Sequence, residues 1–553
     1  MWETDMARMR DANISYVRVN EFDWSILEPS EGQYNFTLLD RTLELCGKYG
    51  LKAIVGTPTA TPPNWATEKY DVDFVDVTNT TLHFGSRRHY SFSSFDYRRL
   101  SQGITTKLAE RYGSNPNVVA WQLDNEFGCH ATTVSYDHNA IKRFRAWLAK
   151  KYGTIENMSA RQGRVFWSSQ YVSFETVQSP FLEVYTTNEA HELFAASGDL
   201  VNYFRWRQVP FAQEQTLSAL FTSDNAEDQG FVEQQILANE DLPLLRAELG
   251  NGTAEPRADV VLVFDYTSNW VWAIEPYSGS WDPKSATYKD VALKYTDLLY
   301  TFYSSLRRLG LSVDIIDPYQ SLDGYKMVVV PSMPIITDAF DKAMASYSGP
   351  VIFGPHTGSK DAKFVAVAGL NPGNYSTLSR RLPMRVTRVE TPPAFARSGV
   401  VYDGKRYNIT AREEWIECTR VGADGGSSSS KSNATITYTS RHRPEGKPAA
   451  CASGDGLLHY LAFNPPVDLL VAYLGDVAAG AGIRDLTGRA ADKANDLGKF
   501  VRLLRRGNLL WAFNYGVEAA AAPEVQGATM VIGEKGEIPG AGLVVWKLGS
   551  GKR

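Results

Sequence analysis

Cysteine is scarce: Cys46, Cys129, Cys418 and Cys451 are the only four in 553 residues, and no two form a CxxC pair. That spacing excludes a zinc cage or a dense disulfide framework and leaves room for one bridge, Cys418 to Cys451. Runs of a single charge sign are absent too: 57 Lys and Arg against 62 Asp and Glu give a net charge of -5. The electrostatic footprint of a protein that binds nucleic acid or a membrane surface is therefore missing, and neither partner is expected. No stretch reaches the roughly 18 apolar residues of a membrane span. The opening residues MWETDMARMRDANISYVRVNEF lack the charged-then-apolar pattern of a signal segment. There is no repeat of solenoid period and no GxxxxGK[ST] phosphate loop.

Aromatic residues, in contrast, make up 12% of the chain, with 13 Trp and 28 Tyr, and many stand in polar company, as in NYFRWR and NWVWAIEPY. That mixture suits stacking on sugar rings, although large cores also bury aromatics. Eight N-x-S/T sequons, beginning at Asn13, Asn35, Asn79, Asn157, Asn251, Asn374, Asn408 and Asn433, lean towards a secretory route. The length exceeds what one core usually supports and predicts several domains.

Along the chain, WETDMARMRDA reads as the later part of an amphipathic helix and ISYVRVNEF as a short apolar strand with a polar end. The pattern repeats: helix LLDRTLELCGKYG, strand LKAIVGTPTATPP, helix FDYRRLSQGITTKLAERYG, strand NVVAWQLDNEF, helix HNAIKRFRAWLAKKYG. Alternating strands and helices, with strands nearly continuous in apolar residues, predict a parallel sheet covered on both faces. A βα repeat of about 30 to 40 residues matches a (β/α)8 barrel, whose chemistry sits at the carboxyl ends of its strands. The polar ends of NEF, TPTATPP and WQLDNEF fall there. DLVNYFRWRQVPFAQEQ gives a fourth strand, but a closed barrel needs eight strands and about 250 residues, so the barrel is expected to be incomplete.

From residue 259 the pattern changes. ADVVLVFDY, LSVDIID, YKMVVVPS and GPVIFGP predict strands and YKDVALKYTDLLYTFYSSLRRLG a helix, together a doubly wound α/β layer. A glutaminase-type nucleophile is excluded, because no cysteine lies between residues 130 and 417. The composition of the tract GADGGSSSSKSNA predicts a loop. The last segment alternates short strands with Gly turns, as a small β-sandwich does.

The chemistry centres on Asn125 and Glu126, which close WQLDNEF. Retaining cleavage of a glycosidic bond needs two carboxyls about 5 to 5.5 Å apart, one to protonate the leaving oxygen and one to attack the anomeric carbon. Glu126 suits the first role and Asn125 can hydrogen-bond a sugar hydroxyl. The plainer alternative is a strand-terminal glutamate in a structural ion pair.

VRVNEFDWSILEPSEGQYNF, GTPTATPPNWA, GSRRHYSF, WQLDNEFGCH, FWSSQY and NYFRWRQVPFAQEQ, in this order, resemble glycoside hydrolase family 42, the β-galactosidases. The resemblance implies a TIM barrel, a flavodoxin-like α/β trimerisation domain and a C-terminal β-domain. It also implies retaining hydrolysis of terminal non-reducing β-D-galactose residues, with no cofactor and a homotrimeric assembly. Glu126 matches the general acid/base; Arg87, Asn125 and Glu214 match the substrate-binding residues. Three departures accompany the match. Ser91, Ser135 and Asp137 stand where many members carry cysteines for structural zinc, so no metal is expected. Leu217 replaces a galactose-contacting histidine. The segment that carries the nucleophile in the family has no counterpart, so no nucleophile is identifiable. The chain runs from YTTNEAH into ELFAASGDLVNYFRWR, as though strands 5 to 7 had been left out near His191 and Glu192, and the first strand is expected upstream of Trp2. Glu183, Glu189 and Glu192 are the nearest carboxylates, each in a stretch resembling a loop or helix flank.

Other residues carry two readings. Glu21 faces a pocket or pairs with Arg18 at the rim; Trp206 stacks on sugar or packs in a core; Arg87 binds substrate or anchors a loop; His130 is a metal ligand or, as the favoured reading, structural. The expected organisation is a partial (β/α)8 barrel over 1–258, an α/β trimerisation-like domain over 259–385, a linking α/β and loop region over 386–480 and a C-terminal β-domain over 481–553. The expected function is that of a β-galactosidase. The alternative is a catalytically dead galactoside-binding or assembly protein.

Overall fold

The computed structural model describes residues 2–85, 87–129, 132, 134–162, 164, 168–178, 206–208, 219–224, 226–236, 239–240, 242–249, 258–274, 280–282, 287–289, 293–360, 382, 384–391, 398–418, 432–439 and 446–549. These fall into two compact units that divide after Leu245.

In the first unit, strands Tyr16–Val19, Lys52–Gly56 and Val118–Gln122 form a parallel sheet in chain order, with Val17 opposite Ala53 and Gly56 opposite Gln122. Helices Trp2–Asp11, Thr37–Lys48, Phe95–Tyr112 and His138–Tyr152 alternate with them. Helix Phe95–Tyr112 forms because Tyr97, Leu100, Ile104 and Leu108 recur every three or four residues and share one buried face. Ser94 caps its start by accepting a hydrogen bond from the Tyr97 amide at 3.2 Å. That face packs on Ala53 and Val55 of the central strand, both fully buried. Helix His138–Tyr152 is capped by Asp137, which accepts from the amides of Asn139 and Ala140. Three of the expected barrel strands are therefore present, and no closed barrel occurs among the described residues. Beyond Val118–Gln122 no further strand pairs among the described residues, and Val119 is 54% exposed. Most of the expected fourth strand lies outside the described residues. Trp206 is described, and it packs on Phe221 and Phe231 with ring centroids 4.7 and 6.3 Å apart.

The second unit centres on a nine-stranded mixed sheet. Five parallel strands run in the order Leu458–Leu461, Val351–Phe353, Met327–Val330, Val260–Val263, Val313–Ile316. Val260, Leu262, Met327 and Val329 face Leu298, Phe302 and Leu306 of helix Tyr295–Arg308 and Leu470 and Leu474 of helix Val467–Gly480. Val261, Val263, Val328 and Val330 face Phe340 and Met344 of helix Asp338–Ser346 on the other side. Strands covered on both faces need apolar residues at every position, which is why these runs do not alternate. Gly354 lets the chain turn closely after Val351–Phe353, since a Cβ there would lie 2.0 Å from the Pro331 carbonyl oxygen.

Two expectations change here. The helix expected from Tyr288 begins at Tyr295, and Thr287–Lys289 is a strand paired with Ser280–Asp282, because the helical apolar stripe starts only at Tyr295. The nine-stranded sheet takes strands from both sides of the division expected at residue 385, since Gly399–Tyr402, Lys405–Asn408, Ser432–Tyr438 and Pro448–Ser453 continue it antiparallel beyond Leu458–Leu461. Cys418 and Cys451 form a disulfide. The C-terminal segment is a four-stranded antiparallel sheet, ordered Val501–Arg506, Leu509–Asn514, Leu543–Leu548, Ala528–Ile532, with a two-stranded ribbon, Ala520–Ala521 and Glu537–Ile538.

Candidate active site

The third parallel strand ends at Gln122, and the chain then turns sharply. Asp124 and Glu126 both adopt the left-handed region, with φ of 58° and 49°. Such a conformation costs free energy in a residue with a side chain and persists only where its surroundings fix it. Here the surroundings are a buried polar network around Asp124, which is 5% exposed.

Asp124 Oδ2 accepts from Thr59 Oγ1 at 2.7 Å and from Tyr90 Oη at 3.2 Å. Its Oδ1 accepts from the Asn125 amide at 2.7 Å and lies 2.9 Å from Arg88 Nη2, both side chains of this ion pair being buried. The Asp124 amide donates to Thr57 Oγ1 at 2.7 Å. Gln122 Nε2 donates to the Asp124 carbonyl at 2.9 Å and to Asn125 Oδ1 at 3.0 Å. Residues from the ends of two neighbouring strands thus lock one turn. Burial foremost, with Tyr97 and the charge of Asp124 adding, pushes the Tyr90 hydroxyl well above its ordinary pKa, so it stays a donor.

This turn presents Asn125 and Glu126 at the carboxyl end of the sheet. Arg87 Nη2 lies 3.1 Å from Glu126 Oε2, with side-chain exposures of 27% and 53%. The Arg87 guanidinium also stands over the Phe22 ring at 5.7 Å. Arg87, Asn125 and Glu126, singled out separately in the sequence, are therefore neighbours. Solvent reaches the carboxylate, and the guanidinium beside it can hold either the carboxylate or an incoming hydroxyl.

Glu21 pairs with Arg18. A Cβ on Gly56 would lie 3.0 Å from Glu21 Cα and Cγ, so glycine at that strand end permits the close approach. Burial, then the Glu21 charge, raises the pKa of Asp23 beside it. Glu183, Glu189, Glu192, Glu214, Leu217 and His130 lie outside the described residues. Ser91 Oγ accepts from the Ser93 amide at 3.1 Å, Ser135 Oγ accepts from the Val75 amide at 3.2 Å, and Asp137 caps its helix. These hydroxyls and this carboxylate are engaged in turns and a cap, and they do not fit a thiolate zinc site. The sequence reading passed over Asp124, Arg88, Thr59 and Tyr90. The aspartate directly before NEF and the second arginine of GSRRHY were the available signals.

A carboxyl, an amide and a guanidinium converging at the ends of parallel strands make a site of the kind glycoside hydrolases use. A family model described as "Beta-galactosidase" matches residues 1–194 and again 186–241, and one described as "Beta-galactosidase trimerisation domain" matches 258–484. The chain belongs to the family 42 β-galactosidases. It is 32% identical to the β-galactosidase BgaA of a Thermus species, covering 99% of this chain and 97% of the relative, and 31% identical to a β-galactosidase of Thermus thermophilus, covering 99% and 97%. The fold is similar to the crystal structure of the β-galactosidase from the psychrophilic Marinomonas ef1, with a TM-score of 0.85, 27% identity and coverage of 99% of this chain and 98% of that one. The alignment with BgaA spans 687 positions, so at least 134 of them, the excess over 553, have no residue in this chain. The family match restarts within 186–194, the stretch where the sequence reading places the omission.

Proposed function

We propose that the chain is a β-galactosidase that hydrolyses terminal non-reducing β-D-galactose residues with retention, and that Glu126 is its general acid/base. The observation that carries this reading is the Asn125–Glu126 turn, fixed by the Asp124 network at a parallel strand end with Arg87 at 3.1 Å from the carboxylate. In the first displacement a carboxylate, to which no residue of the chain is assigned, attacks the anomeric carbon as the glycosidic bond breaks, and Glu126, protonated, gives its proton to the leaving oxygen. In the second, ionised, it takes a proton from the water that releases galactose. Asn125 and Arg87 hold galactose hydroxyls, and Glu214 is assigned the same task from its match to the family motif. The assembly proposed is a homotrimer, in keeping with the trimerisation-domain match over 258–484.

A second reading rests on the match that restarts within 186–194 and on the absence of the family's nucleophile motif from the sequence. On this reading the chain binds galactosides without completing a double displacement, since loss of a nucleophile removes most of the rate. Assay of the purified chain with a nitrophenyl β-galactoside separates the two. Turnover that falls on Glu126→Gln supports the hydrolase. Galactose binding without turnover supports the second reading, and neither turnover nor binding rejects both.

A further inference from the structure

The second unit holds a groove that the hydrolytic reaction does not use. It has a volume of about 940 Å³, in the range of small-molecule sites, and lies between helix Tyr295–Arg308, the start of helix Val467–Gly480 and the strand ends near Phe500 and Tyr515. Four cations line it, Arg307, Arg308, Lys499 and Arg502, against one carboxylate, Asp468. Arg308 is committed to Asp468, at 2.8 Å, and to Asp496. Arg502 forms no ion pair with a carboxylate among the described residues. Its guanidinium donates to the carbonyls of Val501, at 2.7 Å, and Gly498, at 3.2 Å, and to Ser304 Oγ at 3.3 Å. Burial first, with the charges of Arg307 and Arg308 adding, holds its pKa below the ordinary value.

Asp496 also lies in the field of Arg308 and Arg502, so two carboxylates stand against four cations, and an entering anion would relieve the like-charge excess that is left. Three aromatic side chains of the lining are open to solvent: Tyr300 is 65% exposed, Tyr515 70% and Phe500 46%. Rings with hydroxyl tips offer flat apolar faces beside hydrogen-bonding groups, which matches a pyranose ring with its apolar face and equatorial hydroxyls. A guanidinium adds planar, two-pronged recognition of a carboxylate or sulfate.

We propose that this groove binds a sugar bearing an oxyanion, a uronate or a sulfated galactose, with Arg502 on the anionic group and Tyr300 and Tyr515 against the ring. The proposal stands apart from the hydrolytic reading, because no residue of the groove belongs to the Asn125–Glu126 site.

The test is calorimetric titration of the full chain at low ionic strength with digalacturonate, galactose 6-sulfate, neutral galactobiose and inorganic sulfate. Digalacturonate, galactose 6-sulfate or both are expected to bind, and which of them binds distinguishes the two sources of the oxyanion. Their affinity is expected to fall about tenfold or more on Arg502→Gln and on Tyr300→Ala, and to weaken with added salt as a charge-dominated contact does. Glu126→Gln is expected to leave this binding unchanged, and Arg502→Gln to leave galactoside hydrolysis unchanged. Because Tyr300 projects into solvent, Tyr300→Ala keeps the test informative if the Arg502 variant folds poorly. Failure of both charged sugars to bind overturns the proposal. So does galactobiose binding as tightly as they do, inorganic sulfate binding as tightly as they do, or binding that survives Tyr300→Ala undiminished.

Discussion

In the proposed role Glu126 gives up a proton in one half of the catalytic cycle and takes one back in the other, and its half-exposed carboxylate stands beside Arg87. Glu126→Gln keeps the shape and removes the proton. On a galactoside with an alkyl aglycone, a poor leaving group, kcat/KM is expected to fall by about 10² to 10⁴-fold. On a dinitrophenyl galactoside, whose aglycone leaves without protonation, the first step is expected to change little. Equal losses on both substrates, measured by initial rates, would remove Glu126 from the acid role. Asp124 acts one layer behind. Asp124→Asn leaves Arg88 buried without its counter-charge, and losing one partner of such a pair costs about 3 to 5 kcal/mol. A lower urea midpoint and a kcat loss exceeding the change in KM are expected. An unchanged midpoint would mean that the network does not hold the turn. NEF was legible because its polar residues close an apolar run, and GSRRHY through the family resemblance. The Asp124 network was not, because it depends on which strand ends lie side by side, joining Thr57 and Thr59 to Asp124 across more than 60 positions of sequence.

Strands and helices were legible wherever one buried stripe ran the length of an element, as in Phe95–Tyr112 or Val260–Val263. Reading failed at Tyr288, where a helix-like composition precedes the stripe and backbone pairing with Ser280–Asp282 takes the segment instead. It also failed at residue 385, because antiparallel strands added to the edge of a parallel sheet carry no mark of the sheet they join. One element carries a pH signature. In strand Leu458–Leu461, His459 Nε2 lies 2.9 Å from the Gly456 carbonyl, to which it donates, and Nδ1 accepts from Tyr473 Oη at 2.8 Å. Burial pushes its pKa from 6.5 down to about 4. Between those values the unfolded chain binds the proton and the folded one does not, so this contribution is complete above pH 6.5 and is lost as pH falls towards 4. The loss amounts to about 3 kcal/mol. Urea unfolding from pH 7 to pH 4 is expected to be steeper in pH for the natural chain than for His459→Gln. Parallel profiles would show that His459 titrates normally.

For the whole molecule, the proposed assembly is a homotrimer, in keeping with the trimerisation-domain match over 258–484. Sedimentation equilibrium should return three times the chain mass, and a monomer across micromolar concentrations would contradict it. The barrel was legible in part: the sequence before residue 258 shows four strand-like runs where a closed barrel has eight, and the described residues of the first unit contain three parallel strands. The most direct test of the account is the product formed by the Glu126→Gln variant from dinitrophenyl β-galactoside in the presence of azide. If Glu126 serves as acid/base in a double displacement, azide intercepts the galactosyl-enzyme and yields β-galactosyl azide at a rate that rises with its concentration. The α anomer would contradict that account, because it forms only when azide itself displaces the aglycone from a site with no nucleophile.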